Sequence, residues 1–293
     1  KPLYLRQMSA VHAVGSLWKF LEKGAKDDVK HQSSSHAIIS CVWLYATMLL
    51  SGLITDFAVA GADELPSTNW AVWLLLGYWS WLVLLRLRSE TASVAQDVYQ
   101  LMFSCNFAMP AAAIAILLRR PVLLCAQGIL VAIDQVLWYV DLLGYVFTGK
   151  LPIKVVGYLF WPSTPLSRRI SCVHHLLFEP LVILVGCRCH SLPVGRGFVV
   201  ALVQTISCQA ICRFTTPLEI VGQNGELCYL NINLCYEAFR DVKIAWIRRY
   251  DRRAPALYIP WMLWIWNGGN LLLFLLLALV IIHPLRWLQL ART

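Results

Sequence analysis

The sequence predicts an all-α fold, a polytopic helical membrane bundle of about seven transmembrane helices plus two interfacial amphipathic helices. Three observations predict it. Hydrophobic residues fill 59% of the 293 positions and charged residues 14%, with a mean hydropathy of +0.62, against about 45–50% apolar and about 25% charged in a soluble domain. Apolar runs of about 20 residues, the length that crosses about 30 Å of hydrocarbon, recur along the whole chain and exclude a soluble domain on a single anchor. Lys and Arg are also distributed unevenly between the loops, as in multi-pass proteins.

Residues 1–35 form a basic tail with Lys19, Lys23, Lys26 and Lys30, and with Val11, Val14, Trp18 and Leu21 at helical spacing. This pattern predicts a first amphipathic helix on the membrane surface, its Lys side chains toward anionic headgroups. The transmembrane domain follows over 36–283. Span 1 runs from about Ile38 to Val59 and leads into an acidic loop holding Asp63 and Glu64. Span 2 covers about Trp70 to Leu87 and is rich in Trp. Span 3, about Val98 to Leu118, has Asp97 and Gln100 at its entrance and Ser104, Asn106 and Pro110 further in. Arg119, Arg120 and Pro121 turn the chain into span 4, which ends near Phe147.

The connection from Thr148 to Arg169 holds an apolar piece, VVGYLFW, too short to span and therefore interfacial or re-entrant. Span 5 covers about Ile170 to Gly186, span 6 about Gly197 to Cys212 and span 7 about Leu257 to Ile282. The longest polar connection, over 215–256, places Phe239, Val242, Trp246 and Tyr250 on one helical face, with Arg240, Lys243, Arg248 and Arg249 elsewhere. It predicts the second surface helix. Residues 284–293 form a C-terminal tail.

With seven crossings, every Lys and Arg except Arg119, Arg120, Arg188, Arg196, Arg286 and Arg292 falls on the side of the N-terminus. The positive-inside rule therefore places the N-terminus on the cytoplasmic, matrix or stromal side. A chain starting at Lys1 is what removal of an organellar presequence leaves, which makes an organellar inner membrane one expectation. The net charge of +9 is explained by this loop bias and does not imply nucleic acid. No CxxC occurs among the ten Cys, and Cys187, Cys189 and His190 make at most a fragment of a metal site. No complete metal-ligand set and no cofactor motif is present. P-loop, GxGxxG, HExxH and GxSxG patterns are absent too.

The chemistry lies between Gly128 and Pro180. Ionisable groups inside a span cost several kcal/mol unless paired or turned to a polar cavity, which makes each a candidate site residue. On span 4, Gln127, Asp134 and Asp141 are seven apart. Seven residues turn a helix by about 700°, so the three share a face. On span 5, Ser171, His175 and Glu179 form an i, i+4 ladder with His174 about 100° away. Asp134, Asp141, His174, His175 and Glu179 are the candidate catalytic residues. A bundle can equally use such groups for interhelical hydrogen bonds at about 1 kcal/mol each, and this reading is preferred for Gln127. In span 7, Asn267, Gly268, Gly269 and Asn270 predict either a kink beside a site or a close-packing point.

The order of residues over about 130–235 resembles a widespread, functionally uncharacterised group of multi-pass bacterial membrane proteins. The shared pieces are D-x3-W-x2-D (Asp134, Trp138, Asp141), T-G-K (Thr148 to Lys150), P-L-x2-R-x-S-x2-H (Pro165, Leu166, Arg169, Ser171, His174) and N-I-N (Asn231 to Asn233). The resemblance implies that Asp134, Asp141, His174, Asn231 and Asn233 belong to one site, and implies no activity. Glu179 before Pro180, and the extra stretch Ile220 to Leu230, depart from the group's pattern.

Three functions are compatible with these residues. One is an intramembrane polar site that binds or acts on a lipid-like or small polar ligand. There Asp134 or Asp141 is the base or ion ligand, His174 or His175 the proton carrier, and Asn231, Asn233, Asn267 and Asn270 the ligand-orienting amides. The second is an accessory subunit of a large membrane complex, and the third a proton or cation transporter or channel. Membrane lipids, including anionic headgroups, and other membrane subunits are the expected partners.

Overall fold

The computed structural model describes residues 33–59, 61, 64–88, 93–162, 164, 166–189, 192–222, 225, 227–240, 242 and 244–290, with backbone alone at 167, 168 and 282–290. Among the described residues the regular structure is helical apart from one small hairpin. The expected surface helix of the N-terminal tail lies outside the described residues. So do Asp63, Pro165, His190 and Lys243.

The first helix, α1 (Ser34–Val59), buries Ala37, Ser40, Leu44, Met48, Gly52 and Asp56, one stripe at steps of three and four. Its other faces expose Ile38, Val42, Trp43, Leu50, Ile54 and Phe57. In water that surface would drive association, whereas in a bilayer it is what hydrocarbon solvates. The next helix, α2 (Asn69–Leu87), shows the same division, with Trp70, Trp73, Leu74 and Leu84 outward.

Span 3 is broken. Its helices α3 (Val94–Leu101) and α4 (Ser104–Leu117) meet at an angle of 55°. Then α5 (Pro121–Thr148) runs through the middle of the bundle, with 72% of its apolar window buried, against 28% for α1. Span 5 is interrupted too, as α6 (Leu166–Ser171) and α7 (His174–Gly186). It is followed by α8 (Val194–Thr215) and α9 (Pro255–Leu290). Among the described residues six helical segments are long and apolar enough to cross a membrane, or seven if the bent α3–α4 pair is one span. The chain is a multi-pass integral membrane protein.

Several expectations are decided or corrected by the structure. α9 is one helix through Gly268 and Gly269, with no unwound turn, and of the two readings of this stretch it supports close packing. Gly269 is a packing point, since a Cβ there would lie 2.8 Å from Ile133 Cδ1. The helix also continues to Leu290, beyond the expected start of the tail at 284. The 215–256 connection contains a hairpin of β1 (Glu219–Val221) and β2 (Leu227–Tyr229), antiparallel with Glu219 opposite Tyr229.

Among the described residues of 239–250 no surface helix forms, and the helical structure there is a 3-10 turn at Ile247–Tyr250. The reason is a set of cross-ties. Ala238 N donates to Asp251 Oδ1 at 2.9 Å and Arg252 N donates to Tyr236 O at 2.9 Å. A helix between residues 238 and 251 would hold those ends about 20 Å apart. The connection is therefore a closed loop packed against the bundle end, stapled by Arg213, which donates to the carbonyls of Cys235 and Arg253.

Candidate functional site

Asp134 lies midway along α5, facing a cavity of about 320 Å3 beneath the folded 216–254 connection. α2, α3, α4, α7, α8 and α9, Cys172 between α6 and α7, and the two long connections also contribute to its wall. Arg86, Gln100, Cys105, Asp134, His174 and His175 are among the polar lining groups, and Ser104, Thr205, Gln209 and Asn233 add hydroxyls and amides. Trp138, Phe103 and Trp266 supply apolar surface.

The two histidines owe their positions to the interruption of span 5. With α7 starting at His174, that ring's Nδ1 donates back to Ser171 O at 2.9 Å, and its Nε2 is buried with no hydrogen-bond partner. His175 stacks on Trp138 with centroids 4.5 Å apart and planes 13° off parallel. Its Nδ1 lies 3.2 Å from the side-chain amide of Gln135. The two imidazoles are 4.1 Å apart, and Tyr78 lies 5.9 Å beyond His174. A row of rings thus runs from α5 across α7 to α2. Cys105, one residue into α4 and 69 residues before His174 in sequence, comes to the same place. One donor atom from each of Cys105, His174 and His175 lies within 4.8 Å of the others.

The break in span 3 exposes backbone groups that a membrane cannot solvate, and Asn233 closes it. Its Oδ1 accepts from Ser104 N at 2.7 Å and Ser104 Oγ at 2.8 Å, while its Nδ2 donates to Met102 O at 2.8 Å. Asn231 does the same for the loop: its Nδ2 donates to Tyr229 Oη and Glu237 O, and its Oδ1 accepts from Tyr236 N. Both take left-handed backbone conformations, φ 40 and 52°, which Asn tolerates better than most side chains. Both residues line the cavity, and their amides bond backbone groups and neighbouring side chains there, which shapes its wall.

Other candidates are drawn elsewhere. Asp141 is fully buried, and its carboxylate accepts from the N–H groups of Ile153, Lys154 and Val156, pinning the 148–165 connection instead of lining the cavity. Asp134 and Asp141 diverge although their spacing puts them on one face, because the connection folds back over the last turns of α5. Glu179 faces Gly128 and Phe274 with both carboxyl oxygens buried and unpartnered, outside the cavity. Asn267 accepts from Thr205 Oγ1, and Asn270 accepts from Ile133 N and donates to Leu130 O. These two tie α9 to α8 and α5. Gln127 bonds Gln204 at 3.0 Å, an interhelical tie as expected.

Outside the spans, Glu237 anchors the connection over the site. Burial alone would raise its carboxyl, but hydrogen bonds from Arg252 and Arg240 outweigh that and hold it below the usual glutamate value. Burial, followed by the Glu237 charge, pushes the Tyr229 phenol up.

No family model, curated protein or solved structure matches this chain. The site therefore has to be read from its own geometry.

That geometry holds a carboxyl, two imidazoles and a thiol around one small space in the half of the bundle nearest the 216–254 connection. Such a set can exchange protons, bind a cation or hydrogen-bond a polar molecule. Sequence reading missed Cys105 and Arg86. Neither has a local motif, and their part in the site depends on the break in span 3 and the packing of α2.

Proposed function

We propose that the cavity binds or acts on a small polar or lipid-like ligand at bilayer depth, with Asp134 as the base or ion ligand and His174 and His175 as proton carriers. The observation that carries this reading is the wall itself. Placing Asp134, two buried His and several buried amides around a cavity, where apolar side chains would pack at no polar cost, is a costly arrangement that a bundle held together only by helix contacts does not need. A volume of about 320 Å3 is at the lower end for ligand pockets, suited to a small molecule or a headgroup and not to an acyl chain. An almost wholly apolar recess of about 450 Å3 between α1, α2 and α4, lined by Tyr45, Trp79 and Phe107, suits acyl chains and favours the lipid-like case.

The test is native mass spectrometry of the full chain in mild detergent, comparing wild type with the cavity-filling variant Cys208→Phe and with Asp134→Asn. A specific adduct in the wild type that both variants lose supports the proposal. Identical adducts in all three overturn it.

A further inference from the structure

We infer that Cys105, His174 and His175 form a binding site for one transition-metal ion of the class that prefers thiolate and imidazole ligands, with Zn2+ as the reference ion. The inference rests on the reading of the cavity as a ligand site and deepens it, because the ion would sit in the cavity wall; with the ion bound, the two imidazoles are its ligands in place of proton carriers, and Asp134 remains as the base.

Three observations point to the metal. The donor set comes first: one sulfur and two ring nitrogens, all in buried residues, with their atoms within 4.8 Å of one another. Tetrahedral coordination with bonds of about 2.0–2.3 Å puts donors roughly 3.3–3.8 Å apart. Donor-atom shifts of about 1 Å would bring the three to that spacing. A Cys with two His selects borderline and soft ions over Mg2+ or Ca2+.

The second observation is which nitrogens remain. On His174, Nδ1 is committed to Ser171 O, and Nε2 is buried without a partner at a side chain only 6% exposed. On His175, Nδ1 faces the Gln135 amide. As drawn, that amide leaves Gln135 Oε1 buried and unpartnered. Exchanging the amide O and N lets Oε1 accept from Nδ1–H and leaves the Nε2 lone pair for a metal, and it places the amide NH2 where Oε1 now has no partner. A carbonyl behind one imidazole and an amide behind the other is the arrangement that fixes tautomer and ring orientation in metal sites.

Charge is the third. An ion bound by one thiolate keeps a net positive charge that is unfavourable at bilayer depth; Asp134 lines the same cavity and, when ionised, offsets that charge and the charge of Arg86, which lines it too. Binding releases the Cys105 thiol proton. Three protein ligands leave a fourth position open to the cavity, where the ion can take a water or a polar ligand.

The experiment uses the full chain in detergent, stripped with chelator and dialysed against Zn2+ or Co2+. One equivalent of bound Zn2+ by elemental analysis is expected, and the Co2+ form should show a thiolate-to-metal charge-transfer band with tetrahedral d–d absorption. Cys105→Ser should abolish the charge-transfer band and weaken binding at least about ten-fold. Gln135→Leu, which touches only the far nitrogen of His175, should weaken it about ten-fold with the band retained. Cys235→Ser, outside the cluster, should match wild type. Failure to bind either ion, or unchanged Co2+ spectra in Cys105→Ser, overturns the proposal. A ligand adduct that persists in a chain binding no metal overturns this inference and leaves the ligand reading standing. Stoichiometric metal without any adduct supports it and sinks the ligand reading alone.

Discussion

At the residue scale the site depends on side chains that complete broken backbone. Asn233 replaces hydrogen bonds that the interruption of span 3 takes from Ser104 and Met102, and it does so from a left-handed conformation. Asn233→Ala loses those bonds and strains the backbone, a cost of roughly 2–4 kcal/mol. Asn233→Gly keeps the conformational freedom and should cost less. Thermal unfolding in detergent should rank wild type above Gly and Gly above Ala; equal midpoints for all three would refute this role. The two aspartates separate in the same way. Asp141→Ala orphans the N–H groups of Ile153, Lys154 and Val156, at roughly 2–4 kcal/mol, and should open the 148–165 connection to limited proteolysis. Asp134→Asn should leave the cleavage pattern unchanged and alter only what the cavity binds.

At the element scale, packing around α5 decides which glycines matter. A Cβ on Gly128 would meet Phe274 Cε2 at 2.5 Å and Glu179 Oε2 at 3.0 Å, whereas one on Gly268 meets nothing within 4 Å. Gly128→Ala should therefore destabilise by about 1–3 kcal/mol through overpacking. Gly268→Ala should be neutral or gain up to about 1 kcal/mol from helix propensity. Chemical or thermal unfolding of the two variants checks the contrast, and a stabilised Gly128→Ala would show that α5, α7 and α9 do not meet as described. The interruptions belong to this scale as well. They bring Cys105, at the start of α4, and His174, at the start of α7, into the cavity wall.

At the scale of the whole molecule, the 216–254 connection closes one end of the bundle through Glu237, which is 1% exposed between Arg240 and Arg252. Because its folded-state carboxyl is held below the ordinary value, its contribution is complete above the usual glutamate range near about 4.3 and is lost as pH falls through the lower folded value. Proteolytic sensitivity of the connection should rise below about pH 4.5 in the wild type. Glu237→Gln should be sensitive already at neutral pH and flat across that window. The positive-inside rule adds a topological prediction: single Cys labels at Gly149 and Arg119 should react with an impermeant reagent from opposite faces, Gly149 from the cytoplasmic, matrix or stromal side. Labelling of both from one face would exclude an odd number of crossings between them.

Much of this architecture was legible in the chain. Spans 1, 2, 4, 6 and 7 follow from runs of apolar residues, since hydrocarbon demands internally bonded helices whatever their neighbours. The polar positions within Gly128 to Pro180 follow from the same solvent cost. Their partners do not. Asp134, Gln127 and Asp141 share a helical face, yet one lines a cavity, one ties helices and one pins a loop, because each meets a different segment brought there by folding. The amphipathic pattern of 239–250 has helical period, but ties between residues 236–238 and 251–252 outweigh local propensity. Sequence by itself determined what must be buried in lipid, because that is a property of each segment alone. Only the tertiary structure decided which polar groups meet, because Cys105 and His174 are 69 residues apart and nothing local to either specifies the other.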